Sequence, residues 1–120
     1  MNNLSPKVQN QVAMLQQMQQ QLQAILSQKT QYEMAVREAK RAQEEIKDLT
    51  DDSTMYMSVG SVMFQKKKDV VNTKLTEKIE TLELRIKSLE KQEKLIQGKF
   101  EQLQGQIKAA LEGKSAPNAA

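Results

Sequence analysis

Cysteine, histidine and tryptophan are all absent from this chain of 120 residues, and aromatic residues make up only 3% of it. Without thiols or imidazoles the sequence offers no disulfide, no thiolate nucleophile and no histidine metal site, which removes most catalytic and metal-binding constellations. No GxxxxGK[ST] or GxGxxG run is present to cradle phosphates. The carboxylates are spread along helical faces, often with a basic residue one turn away, as with Glu83 and Lys87, so they read as surface support and not as an acid/base dyad. The expectation is a protein without catalytic residues, metal or cofactor. No window approaches the roughly 18 apolar residues of a membrane span, and the N-terminus lacks an apolar h-region. Together with the missing cysteines this predicts a soluble, cytoplasmic protein with no membrane contact. The net charge of +3, from 18 basic and 15 acidic residues, gives a mixed surface with no strong field towards nucleic acid.

The few aromatics also argue against a large compact core, although the length suits a single domain, 1–120. What the chain has instead is two long helical stripes. Stepping alternately by four and three from Leu4 gives Val8, Gln11, Leu15, Met18, Leu22, Ile25, Lys29, Tyr32, Val36, Ala39, Gln43 and Ile46. The same stepping from Leu75 gives Ile79, Leu82, Ile86, Leu89, Glu93, Ile96, Phe100, Leu103, Ile107 and Ala110. A seam sustained over roughly five to six heptads is a coiled-coil signal. Ser5 followed by Pro6 marks the start of the first helix, which is expected over 5–49, a length of about 65 Å. Thr50-Asp51-Asp52-Ser53 supplies turn chemistry. The second helix is expected over 69–112, with Asp69 favouring its N-terminus and Gly113 ending it, and 113–120 is expected to be a disordered tail.

Residues 50–68 lie between the helices and form an assembly region. Gly60-Ser61 suits a two-residue type II′ turn, which pairs Val59 with Val62, Met57 with Phe64 and Met55 with Lys66. One face then carries Met55, Met57, Val59, Val62 and Phe64, and the other Tyr56, Ser58, Met63 and Gln65. An irregular loop is the alternative, but a plain helical connection needs only a few residues, and polar ones. Two strands alone are marginal in water, and this pair has an apolar face and open edges. Such hairpins are expected to pair between subunits, with Met55, Met57, Val59, Val62 and Phe64 as the oligomerisation residues. The fold class is therefore mainly α, a long antiparallel two-helix coiled coil joined by a short β-hairpin that builds an oligomer.

Three further features stand out. Lys29 and Glu93 both interrupt their stripes, and either face each other as a register-fixing polar layer or snorkel to water. Gln16, Gln17, Gln19, Gln20, Gln21 and Gln23 crowd the first helix, where they surround a regular apolar stripe as a solvated face. Lys66-Lys67-Lys68 is the one basic run, read as a solvated edge that deters strand pairing and not as a phosphate contact. Towards the free helix ends the apolar surface is broader than a seam requires. Val12, Met14 and Leu26 lie off the first stripe, and Leu95, Ala109 and Leu111 off the second, with Gly98 and Gly105 nearby. This surplus either grips exposed hydrophobic segments or is covered by other helices of an assembly.

Asp51-Asp52, Tyr56, Val59-Gly60 and the run Glu77-Lys78-Ile79-Glu80-Thr81-Leu82-Glu83-Leu84-Arg85, continued by Leu89-Glu90-Lys91-Gln92-Glu93, carry a likeness to a known family. Over nearly its full length the chain resembles the beta subunits of archaeal prefoldin. The resemblance implies a hexamer of two alpha and four beta subunits, whose hairpins form an oligomeric β-barrel from which the coiled coils hang. It implies an ATP-independent molecular chaperone that captures unfolded proteins at the coiled-coil tips and passes them to a group II chaperonin. On this chain client contacts would fall on Leu4, Val8, Val12, Leu15, Phe100, Leu103, Ile107 and Leu111. The partners implied are a prefoldin alpha subunit, further beta subunits, unfolded clients and the chaperonin, whose acidic surface Lys7, Lys108 and Lys114 would meet. A structural coiled-coil adaptor with one defined partner is the alternative function.

Overall fold

A computed structural model describes residues 4–113. Its elements are helix α1 (Pro6–Lys47), strands β1 (Met55–Val59) and β2 (Val62–Lys66), and helix α2 (Lys68–Leu111). The chain divides into two compact units, Lys29–Ser88 and the combination of Met1–Gln28 with Leu89–Ala120.

Local chemistry sets the boundaries. Ser5 caps α1, its Oγ accepting from the Val8 amide at 3.2 Å, and Pro6 occupies the first helical position, where its missing N–H costs nothing. At the other end α1 stops at Lys47, short of Leu49, because the Leu49 amide already bonds Ile46 O in a tightened turn. Thr50 then organises the connection. Its hydroxyl donates to Asp52 Oδ1 at 2.6 Å and lies 3.0 Å from Ser53 Oγ, while its carbonyl accepts from the Ser53 amide. The Thr50 hydroxyl holds the Asp52 carboxyl below the usual carboxylate range. The bond is therefore present at neutral and mildly acid pH and is lost only as pH falls through that lowered value. Gly113, with φ of +72°, ends α2 in the left-handed conformation that glycine adopts freely. The tail expected over 113–120 lies, beyond Gly113, outside the described residues.

In the unit Lys29–Ser88 the two helices run antiparallel around a core of Val36, Ala39, Ile79 and Leu82, with Tyr32, Ala35, Leu75 and Ile86 packed against it. Gln43 Nε2 donates to Asn72 Oδ1 and Thr76 Oγ1, and Arg85 sits over the Tyr32 ring. Gln43 breaks the apolar stripe, yet its amide finds partners across the helices, so the break is a polar layer and not a defect. The stripe also continues further back than Leu75, through half-buried Val71 to Lys68.

Lys68 departs from the solvated edge expected of the lysine run. Its ammonium bonds Lys47 O at 3.2 Å and Leu49 O at 2.6 Å. The first residue of α2 thus satisfies carbonyls left open at the end of α1 and places a positive charge at that helix's negative pole. Lys66 and Lys67 remain exposed.

The strands pair antiparallel in the expected register, Met55 opposite Lys66, Tyr56 opposite Gln65, Met57 opposite Phe64, Ser58 opposite Met63 and Val59 opposite Val62. Gly60 has φ of +61°, while no described non-glycine residue has positive φ. That combination excludes a type I′ turn and fits II′. Lys68→Met should lower the thermal stability of the chain by about 1 kcal/mol, and Lys67→Met should leave it unchanged. Parallel melting curves followed by circular dichroism check the difference.

Candidate functional site

Two regions leave apolar side chains uncovered. The first is the hairpin. Met55 is buried and Met57 half-buried within the chain, but Val59, Val62 and Phe64 on the same face are exposed. On the opposite face Tyr56 and Met63 are 58% and 66% exposed. With a two-residue turn, the facing pairs 55/66, 57/64 and 59/62 exchange their own hydrogen bonds, so the backbone groups of Tyr56 and Ser58 on one edge, and Met63 and Gln65 on the other, point outwards. The hairpin thus offers apolar faces and two unpaired edges together.

The second region lies in the other unit, residues 4–28 with 89–113. Every position of the first stripe from Leu4 to Ile25 is buried or half-buried there. Along α2 the stripe holds from Leu89 to Ile107, with Leu89 and Leu103 buried. It fails at the last step, because Ala110 is exposed and Ala109 is half-buried. A straight helix drifts from a strict seven-residue repeat, and at the end of α2 the inward position has moved by one residue.

Of the residues expected to contact clients, Val8 and Leu103 are buried in the seam, Leu4, Leu15, Phe100 and Ile107 are half-buried along it, and Val12 is half-buried beside it. Leu111 is 61% exposed. Leu15, Ile107 and Leu111 come together along a cleft of about 330 Å³, rimmed by Gln104, Lys108 and Glu112. Beyond the cleft, Met14, Leu26 and Leu95 are at least half exposed. The off-stripe surplus is thus real for these residues and for Leu111, while Val12 and Ala109 tuck in. Of the lysines expected to meet an acidic surface, Lys108 is on the cleft rim, Lys7 is exposed and Lys114 lies outside the described residues.

Near this cleft the seam contains a polar layer that the stripe pattern only half revealed. Gln11 Nε2 donates to Gln106 Oε1 at 3.5 Å, a long bond, while Gln11 Oε1 is buried with no partner. Gln11 interrupts its stripe, but Gln106 sits beside Ile107 and no break marks it. Gly98 and Gly105 face open space where a Cβ would stand, so close packing does not require them. They weaken α2 by about 1 kcal/mol each relative to alanine.

A depression of about 830 Å³ at the hairpin base has a different character. Asp51, Asp52 and Asp69 line it together with Lys66 and Lys67, so it presents no single sign of charge to an anionic or cationic partner.

The comparisons with known proteins agree with this geometry. A sequence model of prefoldin subunits matches residues 9–114. The chain belongs to the prefoldin subunit family. It is 60% identical to the prefoldin subunit beta of Methanospirillum hungatei over 119 residues, 99% of each chain. It is 63% identical to that of Methanoculleus marisnigri, covering 98% of this chain and 97% of the relative. The crystal structure of the prefoldin beta subunit from Thermococcus strain KS-1 superposes with a TM-score of 0.83 at 42% identity, over 92% of this chain and 97% of that one. No helix among the described residues is long and apolar enough to cross a membrane.

The glutamine layer gives a direct test of how firmly this seam is held. Converting both Gln11 and Gln106 to leucine removes a buried acceptor without a partner and should raise stability by about 1 kcal/mol, whereas either single change should gain less. Chemical denaturation of the three variants measures it.

Proposed function

We propose that this chain is a subunit of a hetero-oligomeric, ATP-independent prefoldin chaperone, which captures unfolded proteins on the apolar cleft and delivers them to a group II chaperonin. The observation that carries the reading is the pairing of family membership with two separate uncovered apolar regions, one on strands and one on helix ends. The strand region suits assembly. Val59, Val62 and Phe64 need covering, and the outward backbone groups of Tyr56, Ser58, Met63 and Gln65 are suited to bond strands from other subunits. Several hairpins joined in this way close into a β-barrel, which abolishes the edges altogether. A prefoldin alpha subunit and further beta subunits are the partners in that barrel.

The helical region suits capture. Burying one leucine-sized side chain stabilises a complex by about 1.5–3 kcal/mol, so a cleft walled by Leu15, Ile107 and Leu111 holds a client weakly at any one point and releases it readily. Leu4, Val12 and Phe100 extend the apolar surface, and Val8 and Leu103 become available only where the seam parts. Such binding needs no nucleotide and no catalytic group. The work is done in the cytoplasm, on proteins that expose apolar segments before they fold.

Two measurements test the reading. Aggregation of an unrelated denatured protein should be suppressed by the assembled full-length chain, and suppression should fall severalfold when both helix ends are trimmed to remove Leu4–Leu15 and Phe100–Leu111. Equal suppression after trimming would overturn the cleft as the client site, and no suppression by the intact assembly would favour an adaptor with one defined partner. Ser58→Pro removes an outward N–H but no ladder bond. It should reduce the oligomer seen by analytical ultracentrifugation while the helical signal is retained, and an unchanged oligomer would rule out pairing through that edge.

A further inference from the structure

From Val8 to Gln28 the chain contains no charged residue. Helix α1 is nevertheless well exposed there: Gln16, Gln17, Gln19, Gln20, Gln21 and Gln23 all lie on the solvent side of the stripe, with Met14 and Leu26 exposed on its flanks. The contrast within the same unit is sharp. The exposed side of α2 over 89–113 carries Glu90, Lys91, Lys94, Lys99, Glu101 and Lys108. Water-facing helices gain solubility and a little stability from charged pairs one turn apart, as α2 does. Helix α1 forgoes both over this stretch, and these six exposed glutamines are not needed for packing.

We infer that the charge-free glutamine face of α1 is a second client-binding surface, whose occupant is an extended, non-native polypeptide of either net charge. This rests on the chaperone reading above and specifies what kind of client the site accepts. The reason lies in what contact with an unfolded segment requires. Such a segment presents apolar side chains together with unpaired backbone N–H and C=O groups. A surface pressed against it loses water, and a charged side chain there is costly to desolvate unless it finds a counter-charge. It also selects clients by sign, since like charges brought together repel. A glutamine amide is cheaper to desolvate, and it has both a donor and an acceptor with which to answer a client's backbone. Met14 and Leu26 supply apolar contact on either flank, the methionine with an adaptable side chain. The match is therefore one of charge: a neutral face meets the neutral backbone common to all clients, and is indifferent to the charge that distinguishes them.

The test adds charge without changing shape. In the full-length assembled protein, Gln16, Gln20 and Gln23 are replaced together by glutamate, and in a second variant by lysine, all good helix formers. Two probes are used, unfolded reduced lysozyme, which is basic, and unfolded carboxymethylated α-lactalbumin, which is acidic. The unaltered protein should bind both with similar affinity. The glutamate variant should lose about fivefold in affinity for the acidic probe at low salt, the lysine variant a similar factor for the basic one, and both losses should shrink as salt screens the added charges. Circular dichroism and sedimentation confirm that helicity and oligomer size are retained. Unchanged binding of both probes by both variants would overturn the inference while leaving the cleft as the client site. A change in oligomer size would also overturn it, since the face would then be occupied by a second copy of the chain. Failure of the unaltered protein to bind either probe would instead refute the chaperone reading itself.

Discussion

Burial of one apolar stripe per helix is the interaction on which the remaining features depend, and that burial is incomplete throughout. Val36, Ala39, Ile79 and Leu82 form the best-packed cluster, yet no side chain among the described residues is fully enclosed. A helix with a single helical neighbour can hide only a narrow strip, and what lies to either side of it stays wet. The chain therefore cannot close a core on its own account. Its stability comes from length, with many modest contacts repeated along the seam, reinforced where the helix ends meet by polar devices such as the Lys68 ammonium on the carbonyls of Lys47 and Leu49.

The two places where apolar surface escapes that seam differ in kind. On the hairpin it is joined to unpaired strand edges, a combination that is satisfied by other strands and by little else. On the helix ends it is joined to polar interruptions and helix-weakening glycines, Gln11 with Gln106 and Gly98 with Gly105. Strand edges are directional and demand a defined partner, which suits permanent assembly. A cleft walled by Leu15, Ile107 and Leu111 is undirected and shallow in energy, which suits transient contact with many partners. Under the proposed function, one short sequence separates lasting from passing interactions by using β-structure for the former and α-structure for the latter.

Much of this was legible in the sequence because both periodicities are strict. Every position picked by the four-three stepping from Leu4 to Ile46 and from Leu75 to Ile107 is buried or half-buried, and Gly60-Ser61 fixed the hairpin register to the residue. Features defined by partners and not by period escaped it. Lys68 looks like its neighbours Lys66 and Lys67 until the end of α1 comes within reach of its side chain. Gln106 adjoins an apolar stripe residue and leaves no gap in the pattern. Ala110 was placed on the inward face, where Ala109 stands instead, because helical drift accumulates and shows only at the last step. Among the expected client contacts, the stepping placed Val8 and Leu103 on the inward face and Leu111 off it, but it could not say that off-stripe Val12 would tuck in.

The proposed division of labour between hairpin and helix ends can be read by site-specific photo-cross-linking. A photoreactive side chain placed at Leu111 or, separately, at Val59 of the assembled protein is irradiated in the presence of an unfolded client. The account predicts client adducts from position 111 and subunit–subunit adducts from position 59. Client adducts predominantly from position 59, or equally from both, would contradict it.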